Sequence, residues 1–460
     1  MRLAGTTMAM AALLLAGSAA AAGAAHAGAP HPMLRQIAGQ VSARELHATI
    51  QRLVGFGTRH TLSDTTSPVR GIGAARRWVQ GRFTEIGQGC GGCLRIETPS
   101  EVVTGERVPT PTEVMDVLAI QPGTGDPDRV VIISGHLDSR VTDPMNAVSD
   151  APGANDDGSG VAAVLESARI LSRHRFAATI VYAVLSGEEQ NLYGGKVLAH
   201  YAAAHGWRVE AQLNNDIIGN IHGQGGEVDA AHVRVFSEGT KATETPEQAS
   251  RRRYNGGEVD SPSRNLARFI DGLAPQYLHG LQVRMVYRTD RYSRGGDQVA
   301  MLEGGYPAVR LTEAAENYTR QHQDVRTEAG IAYGDVLAGV DFPYLAQVTR
   351  LNAVALAALA SAPAPPAEVK IEGAVSPDTK VSWTPSAGAA AYRVWRRDTI
   401  APRWQIARPA GPATSLTLKG VVIDDWFFGV SAVSADGYES PVEFPGPAGA
   451  FANTAQPPAR

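Results

Sequence analysis

Five short segments of this 460-residue chain carry side chains suited to metal-assisted hydrolysis. They read HLDS, with His136 and Asp138; APGANDDGSG, with Asp156 and Asp157; LSGEEQNLYGG, with Glu188 and Glu189; NNDIIGN, with Asp216; and TRQHQD, with His322. Each has an ordinary reading by itself. A His-x-Asp pair often sits in a turn, as does NDDG. A Glu-Glu pair is usually a solvated face. Asp216 could cap a strand end, and His322, between Gln321 and Gln323, could be an exposed loop residue. Together they supply two imidazoles and at least four carboxylates, the nitrogen and oxygen donors that zinc accepts. A two-metal centre needs a carboxylate able to bridge cations roughly 3.5–4 Å apart, and a base that is not itself a ligand. Glu188 and Glu189 can divide those tasks, one binding metal and the other taking a proton from water. Asp138, close after His136, is placed to accept that imidazole's second N–H and fix its tautomer.

Residues so far apart meet only if the fold gathers them. RVVIISG and ATIVYAVLS are continuous apolar runs of strand length, suited to a sheet covered on both faces. VEAQLNND, HVRVFS, QVRMVY and PAVRLT also read as strands. SARELHATIQRLVGF, GAARRWVQGRFTEIG, GSGVAAVLESARIL, GGKVLAHYAAAH and SRNLARFIDGL have helical spacing, and a closing helix is expected over 335–360. The alternation predicts an α/β fold with a mostly parallel central sheet flanked by helices. His136, the Glu188-Glu189 pair and Asp216 fall at or just past strand ends, and His322 in the loop after PAVRLT. In open α/β sheets the carboxyl ends of the strands carry the site. Asp156 precedes a helix whose N-terminus favours negative charge.

The alternating pattern is expected to form one domain over residues 28–361, followed by a proline-rich linker at 362–368. Short β-prone runs from VKIEGAV to GYESPVEF then predict a small antiparallel β-sandwich over 369–446, and a Pro/Ala/Gly-rich tail at 447–460 reads as disordered. Residues 1–27 have the form of a secretory signal peptide ending in an A-x-A site. The chain is therefore expected to be exported, periplasmic or extracellular, with no membrane span after signal removal. In an oxidising compartment Cys90 and Cys93, spaced C-G-G-C, favour a local disulfide. A net charge of -4 and 19% charged residues give no reason to expect nucleic acid as a partner. A monomer is expected. Arg288, Arg291 and Arg294 read as solvated loop charges, with a cleft lining as the alternative.

The HLDS, APG-x-x-DD-x-SG and GEE segments resemble the secreted bacterial leucyl aminopeptidase family of two-zinc exopeptidases, within a superfamily that includes glutamate carboxypeptidases and glutaminyl cyclases. The resemblance spans roughly residues 110 to 330. It implies that His136 and Asp216 hold one zinc, Glu189 and His322 the other, and that Asp156 bridges them; cobalt or manganese could substitute. Glu188 would be the general base, and Asp138 and Asp157 would support the ligands. The resemblance also implies a cis peptide between Asp156 and Asp157, and an oxyanion-stabilising tyrosine for which Tyr292 and Tyr318 are candidates. Where family members often have a histidine, this chain has Gln298 after Asp297. The C-terminal runs are similar to a fibronectin type III-like module. The implied activity is zinc-dependent release of N-terminal residues from peptides. The alternatives are a carboxypeptidase, a glutaminyl cyclase or a non-catalytic binding ectodomain.

Overall fold

The computed structural model describes residues 30–446. The proposed signal peptide and the 447–460 tail lie outside the described residues. The strands are β1 Arg95–Glu97, β2 Ser100–Gly105, β3 Val108–Met115, β4 Val117–Gln121, β5 Asp126–His136, β6 Ala178–Leu185, β7 Arg208–Asn215, β8 His232–Phe236, β9 Gln282–Val286, β10 Ala308–Glu313, β11 Arg326–Glu328, β12 Ile331–Tyr333, β13 Ala367–Glu372, β14 Thr379–Thr384, β15 Ala391–Asp398, β16 Ile406–Gly411, β17 Ser415–Leu418 and β18 Trp426–Val433. The helices are α1 Pro32–Gly39, α2 Ala43–Val54, α3 Gly71–Gly89, α4 Gly158–Leu171, α5 Tyr193–Ala204, α6 Pro246–Asn255, α7 Pro262–Tyr277, α8 Gln298–Glu303 and α9 Phe342–Ser361.

An eight-stranded sheet in the order β1-β4-β6-β5-β7-β10-β8-β9 forms the centre of the molecule. Its middle is parallel: β5 pairs with β6 and β7, and β7 with β10. β4 joins β6, and β8 joins β10, in antiparallel fashion. Every residue of β6 is buried, as are the last eight of β5, so both runs are sheet strands covered on two faces. Helices α2, α4, α7 and α9 share one large core with Val131, Ile133, Leu213 and Leu311. Helix α5 and Met301 of α8 cover the opposite face.

The closing helix starts later than its alanine-rich pattern suggests. Asp341 caps it by accepting from Tyr344 N, and a proline occupies the first turn. Asp335, earlier in the sequence, instead accepts the backbone N–H groups of Asn155 and Asp156. The β2–β3 hairpin and α1 went unread in the sequence. Cys90 and Cys93 form a disulfide.

After α9, two three-stranded antiparallel sheets, β13-β14-β17 and β16-β15-β18, face each other across Val381, Trp383, Val394, Phe428 and Val430. The GYESPVEF run, expected as a strand, makes only isolated bridges at Glu439 and Glu443. The unit is fastened to the large domain through charge. Arg397 Nη2 donates to both oxygens of buried Asp260 at 2.7 Å, and Arg268 Nη1 donates to Oδ1 at 2.8 Å. Trp404 Nε1 donates to Asn265 Oδ1 at 3.2 Å, and Tyr287 Oη to the Pro402 carbonyl at 3.1 Å.

Candidate metal centre

Five segments converge at the carboxyl ends of the parallel strands, as their spacing predicted. His136 ends β5, Asp216 follows β7 and the Glu188-Glu189 pair follows β6. His322 lies in the loop after β10 and Asp156 just before α4. Ligand atoms of His136, Glu188 and Asp216 form one group within 4.8 Å, and those of Asp156, Glu189 and His322 form a second. Asp156 connects the two. Its Oδ1 lies 3.2 Å from His136 Nε2 and its Oδ2 3.0 Å from His322 Nε2. Glu189 Oε1 is also 3.0 Å from His322 Nε2, and Asp216 Oδ1 is 3.9 Å from His136 Nε2.

These residues fit a cation on grounds internal to the structure. His136 Nε2 and Glu189 Oε1 are buried and make no hydrogen bond among the described residues. Burying such atoms without a partner is costly, and a cation in each donor group would satisfy one of them.

The surrounding frame holds the donors by named contacts. The Asp156–Asp157 peptide is cis. Asp157 caps α4 through Gly160 N at 2.9 Å and accepts His136 N at 2.9 Å, so one carboxylate ties the helix to the end of β5. Asp138 acts differently from the sequence expectation. His136 Nδ1 meets the Asp138 backbone carbonyl at 3.0 Å, while the carboxylate is 3.7 Å away. That carboxylate accepts instead from Glu189 N at 3.1 Å and Thr61 Oγ1 at 3.1 Å, because the chain at Asp138 turns its side chain toward the loop after β6. Burial opposes its charge, but these donors and His136 outweigh it and hold its pKa below the usual carboxylate range. His322 and Ile217, the residue after Asp216, both have left-handed backbone, with φ of 52° and 62°. Such strain persists where surrounding structure enforces it.

Several contributors were not read from the sequence. Arg310 is fully buried in β10, and its Nη1 lies 2.9 Å from Asp216 Oδ2, leaving Oδ1 to face His136. Burial opposes ionisation of Asp216, but Arg310, His136 and Arg291 overcome it and keep the group well below the ordinary range. A charged residue inside the apolar run PAVRLT was the available signal. Asp335 accepts the N–H groups of Asn155 and Asp156 at 2.9 and 2.7 Å, and Arg59 donates to the carbonyls of Leu137, Pro152 and Gly153. Neither had a sequence signal, since each grips backbone from a distant loop. Arg140 Nε donates to Glu189 Oε2 at 2.8 Å, and its Nη2 lies 2.6 Å from His322 Nδ1. Glu188 is pushed well above the usual carboxylate range by burial and by the charges of Asp216 and Glu189.

A cavity of about 560 Å³ opens onto these groups, lined also by Arg107, Arg291 and Arg294. Arg291 and Arg294 are thus cleft residues rather than solvated charges. Tyr292 and Tyr318 are 80% and 56% exposed and neither lines the cavity; Tyr193 does. Asp297, preceding Gln298, accepts Gly195 N at 2.9 Å and lies outside both donor groups.

A donor set of this kind at the strand ends of an α/β sheet defines a metal-dependent hydrolase. The profile of peptidase family M28 matches residues 116–327. A probable zinc metalloprotease of Pyrenophora tritici-repentis is 42% identical over 91% of this chain and 88% of its own length. Another, from Pyricularia oryzae, is 43% identical over 91% of this chain and 85% of its own. Among solved structures, LapA and LapB of Legionella each give a TM-score of 0.51 at 16% identity, over 72% and 71% of this chain and 78% and 74% of theirs, a likeness of fold alone. The chain belongs to peptidase family M28, and it is a zinc metallopeptidase. These curated relatives are fungal, so they leave the bacterial family of the sequence expectation without direct support.

Proposed function

We propose that this protein is an exported aminopeptidase with two zinc ions, releasing N-terminal residues from peptides. The observation that carries the two-ion reading is Asp156, whose two oxygens each face a different histidine. His136 and Asp216 would hold one ion, Glu189 and His322 the other. When bound, zinc would supply Lewis acidity to a substrate carbonyl and lower the pKa of a coordinated water. Glu188 is the residue that takes the water's proton and returns it to the leaving amine. Asp138 keeps Glu188 and Glu189 in register by accepting the backbone N–H groups of both, at 3.3 and 3.1 Å. Export rests on residues 1–27, and the C-terminal sheets are read as a fibronectin type III-like module in a monomer.

The test is zinc stoichiometry together with release of p-nitroaniline from leucine p-nitroanilide, with and without chelator. Two zinc ions per chain and chelator-sensitive release are expected. Equal cleavage of the N-acetylated anilide would falsify the aminopeptidase reading.

A further inference from the structure

The cavity beside the metal donors is unusually rich in guanidinium groups for a site meant to meet a free ammonium. Arg107, Arg140, Arg291 and Arg294 all line it. Two of them are engaged. Arg140 is committed to Glu189 and His322, and Arg107 gives Nη1 to the Glu189 carbonyl at 2.9 Å. Arg291 differs. Its side chain is only 8% exposed, and Nη1 is buried without a hydrogen bond among the described residues. Nε donates to Asp290 Oδ1 at 3.3 Å, but the acids facing the two Nη atoms stand off: Glu316 Oε2 is 3.5 Å from Nη1 and Asp216 Oδ2 is 3.9 Å from Nη2. Arg294, on the same segment between β9 and α8, is held only loosely, at 3.4 Å from Glu316 and 3.5 Å from Gln321 Oε1. An N–H buried without an acceptor is costly, and a guanidinium fork matches a planar carboxylate.

The charge balance points the same way. Five carboxylates line the cavity: Glu106, Asp156, Glu188, Glu189 and Asp216. Two divalent cations would offset four of those charges, leaving the arginines in excess. Arg291 is close enough to Asp216 that a group bound to it belongs to a residue adjoining the scissile bond.

We propose that Arg291, assisted by Arg294, forms a carboxylate-accepting subsite, so that preferred substrates carry a carboxylate on a residue flanking the cleaved peptide bond. This deepens the peptidase reading above and rests on it. The carboxylate has two sources, an acidic N-terminal side chain or the free C-terminus of a short peptide.

The test compares matched pairs on the zinc-loaded full chain. Glutamate p-nitroanilide is set against glutamine p-nitroanilide, and leucyl-alanine, with its N-terminus free, against leucyl-alanine amide. One carboxylate member should exceed its neutral partner in kcat/KM by about tenfold or more. The first pair identifies the side chain as the source, the second the C-terminus. Arg291→Gln, and Arg294→Gln as a less buried second variant, should collapse that ratio toward one, chiefly through KM of the carboxylate member. Raised salt should also reduce it. Calorimetry on the zinc-loaded Glu188→Gln variant, titrating glutamate against glutamine and N-acetyl-alanine against its amide, reads the subsite without turnover. Ratios near one in both pairs, a preference that survives both arginine substitutions, or equal affinity within both calorimetric pairs would each overturn the subsite. Leucine p-nitroanilide cleaved without carboxylate preference would remove the subsite and leave the aminopeptidase reading standing. Carboxylate-selective binding without anilide cleavage would do the reverse.

Discussion

Two regions of this protein bury clusters of opposite charge, and they are built to different ends. At the junction with the C-terminal sheets, Asp260 has both oxygens taken by Arg397 and one shared with Arg268. Arg397 Nε makes no hydrogen bond among the described residues, but its guanidinium lies 4.6 Å from the Phe427 ring centre and 5.4 Å from that of Trp404. In the cavity, by contrast, His136 Nε2, Glu189 Oε1 and Arg291 Nη1 are buried and have no hydrogen-bond partner among the described residues. Both arrangements carry the desolvation cost of buried ions. The junction closes on itself, whereas the cavity leaves atoms aimed at something that must arrive. Open valence, more than burial, separates a site from a fastener.

Substitutions should divide along the same line. The largest effect is expected from Glu188→Gln, which should lose about 10²–10⁴-fold in turnover while keeping its zinc content and melting temperature. Wild-type turnover in that variant would remove Glu188 from the proton-transfer role. Arg397→Ala should do the opposite, costing about 3–5 kcal/mol of stability by stripping one partner from a buried carboxylate. Denaturant unfolding measures it, and an unchanged midpoint would show that Arg268 alone supports Asp260. Asp335→Asn is expected to weaken zinc binding by about 10–100-fold, the usual cost of losing a group that holds a ligand in place; competition with a chromogenic chelator reads this directly.

The smallest effect concerns pH and lies outside both regions. Burial raises the Glu238 pKa from 4.5 to about 8. The folded state therefore holds an extra proton between those values, and its contribution to stability falls as pH rises through that window. Glu238→Gln should flatten the decline between pH 5 and pH 9. Parallel melting curves across that range would exclude the effect.

The candidate donors could be picked out of the sequence because strand ends are legible. An apolar run such as ATIVYAVLS has a clear end, and Glu188 and Glu189 stand just beyond it. Asp156 was legible through its glycine-rich turn. Arg310 was readable in principle, being a cation inside a strand buried at every position. Asp335 and Arg59 were not, because each binds peptide groups of a loop whose path only the folded chain defines. Loop geometry also defeated the choice between Tyr292 and Tyr318, both of which face solvent. The start of α9 was misjudged because alanine content extends a helical pattern, while Asp341 and Pro343 decide where the first turn begins.

The fastening of the C-terminal sheets has a practical consequence. His31, near the start of the described chain, meets Tyr438 Oη through Nδ1 at 2.9 Å, and its backbone N–H donates to Tyr277 Oη at 2.8 Å. With Arg397, Trp404 and Tyr287 contributing further ties, the connector after α9 is far from the sole attachment. A protease nick in that connector should give two bands on a denaturing gel and a single peak on gel filtration.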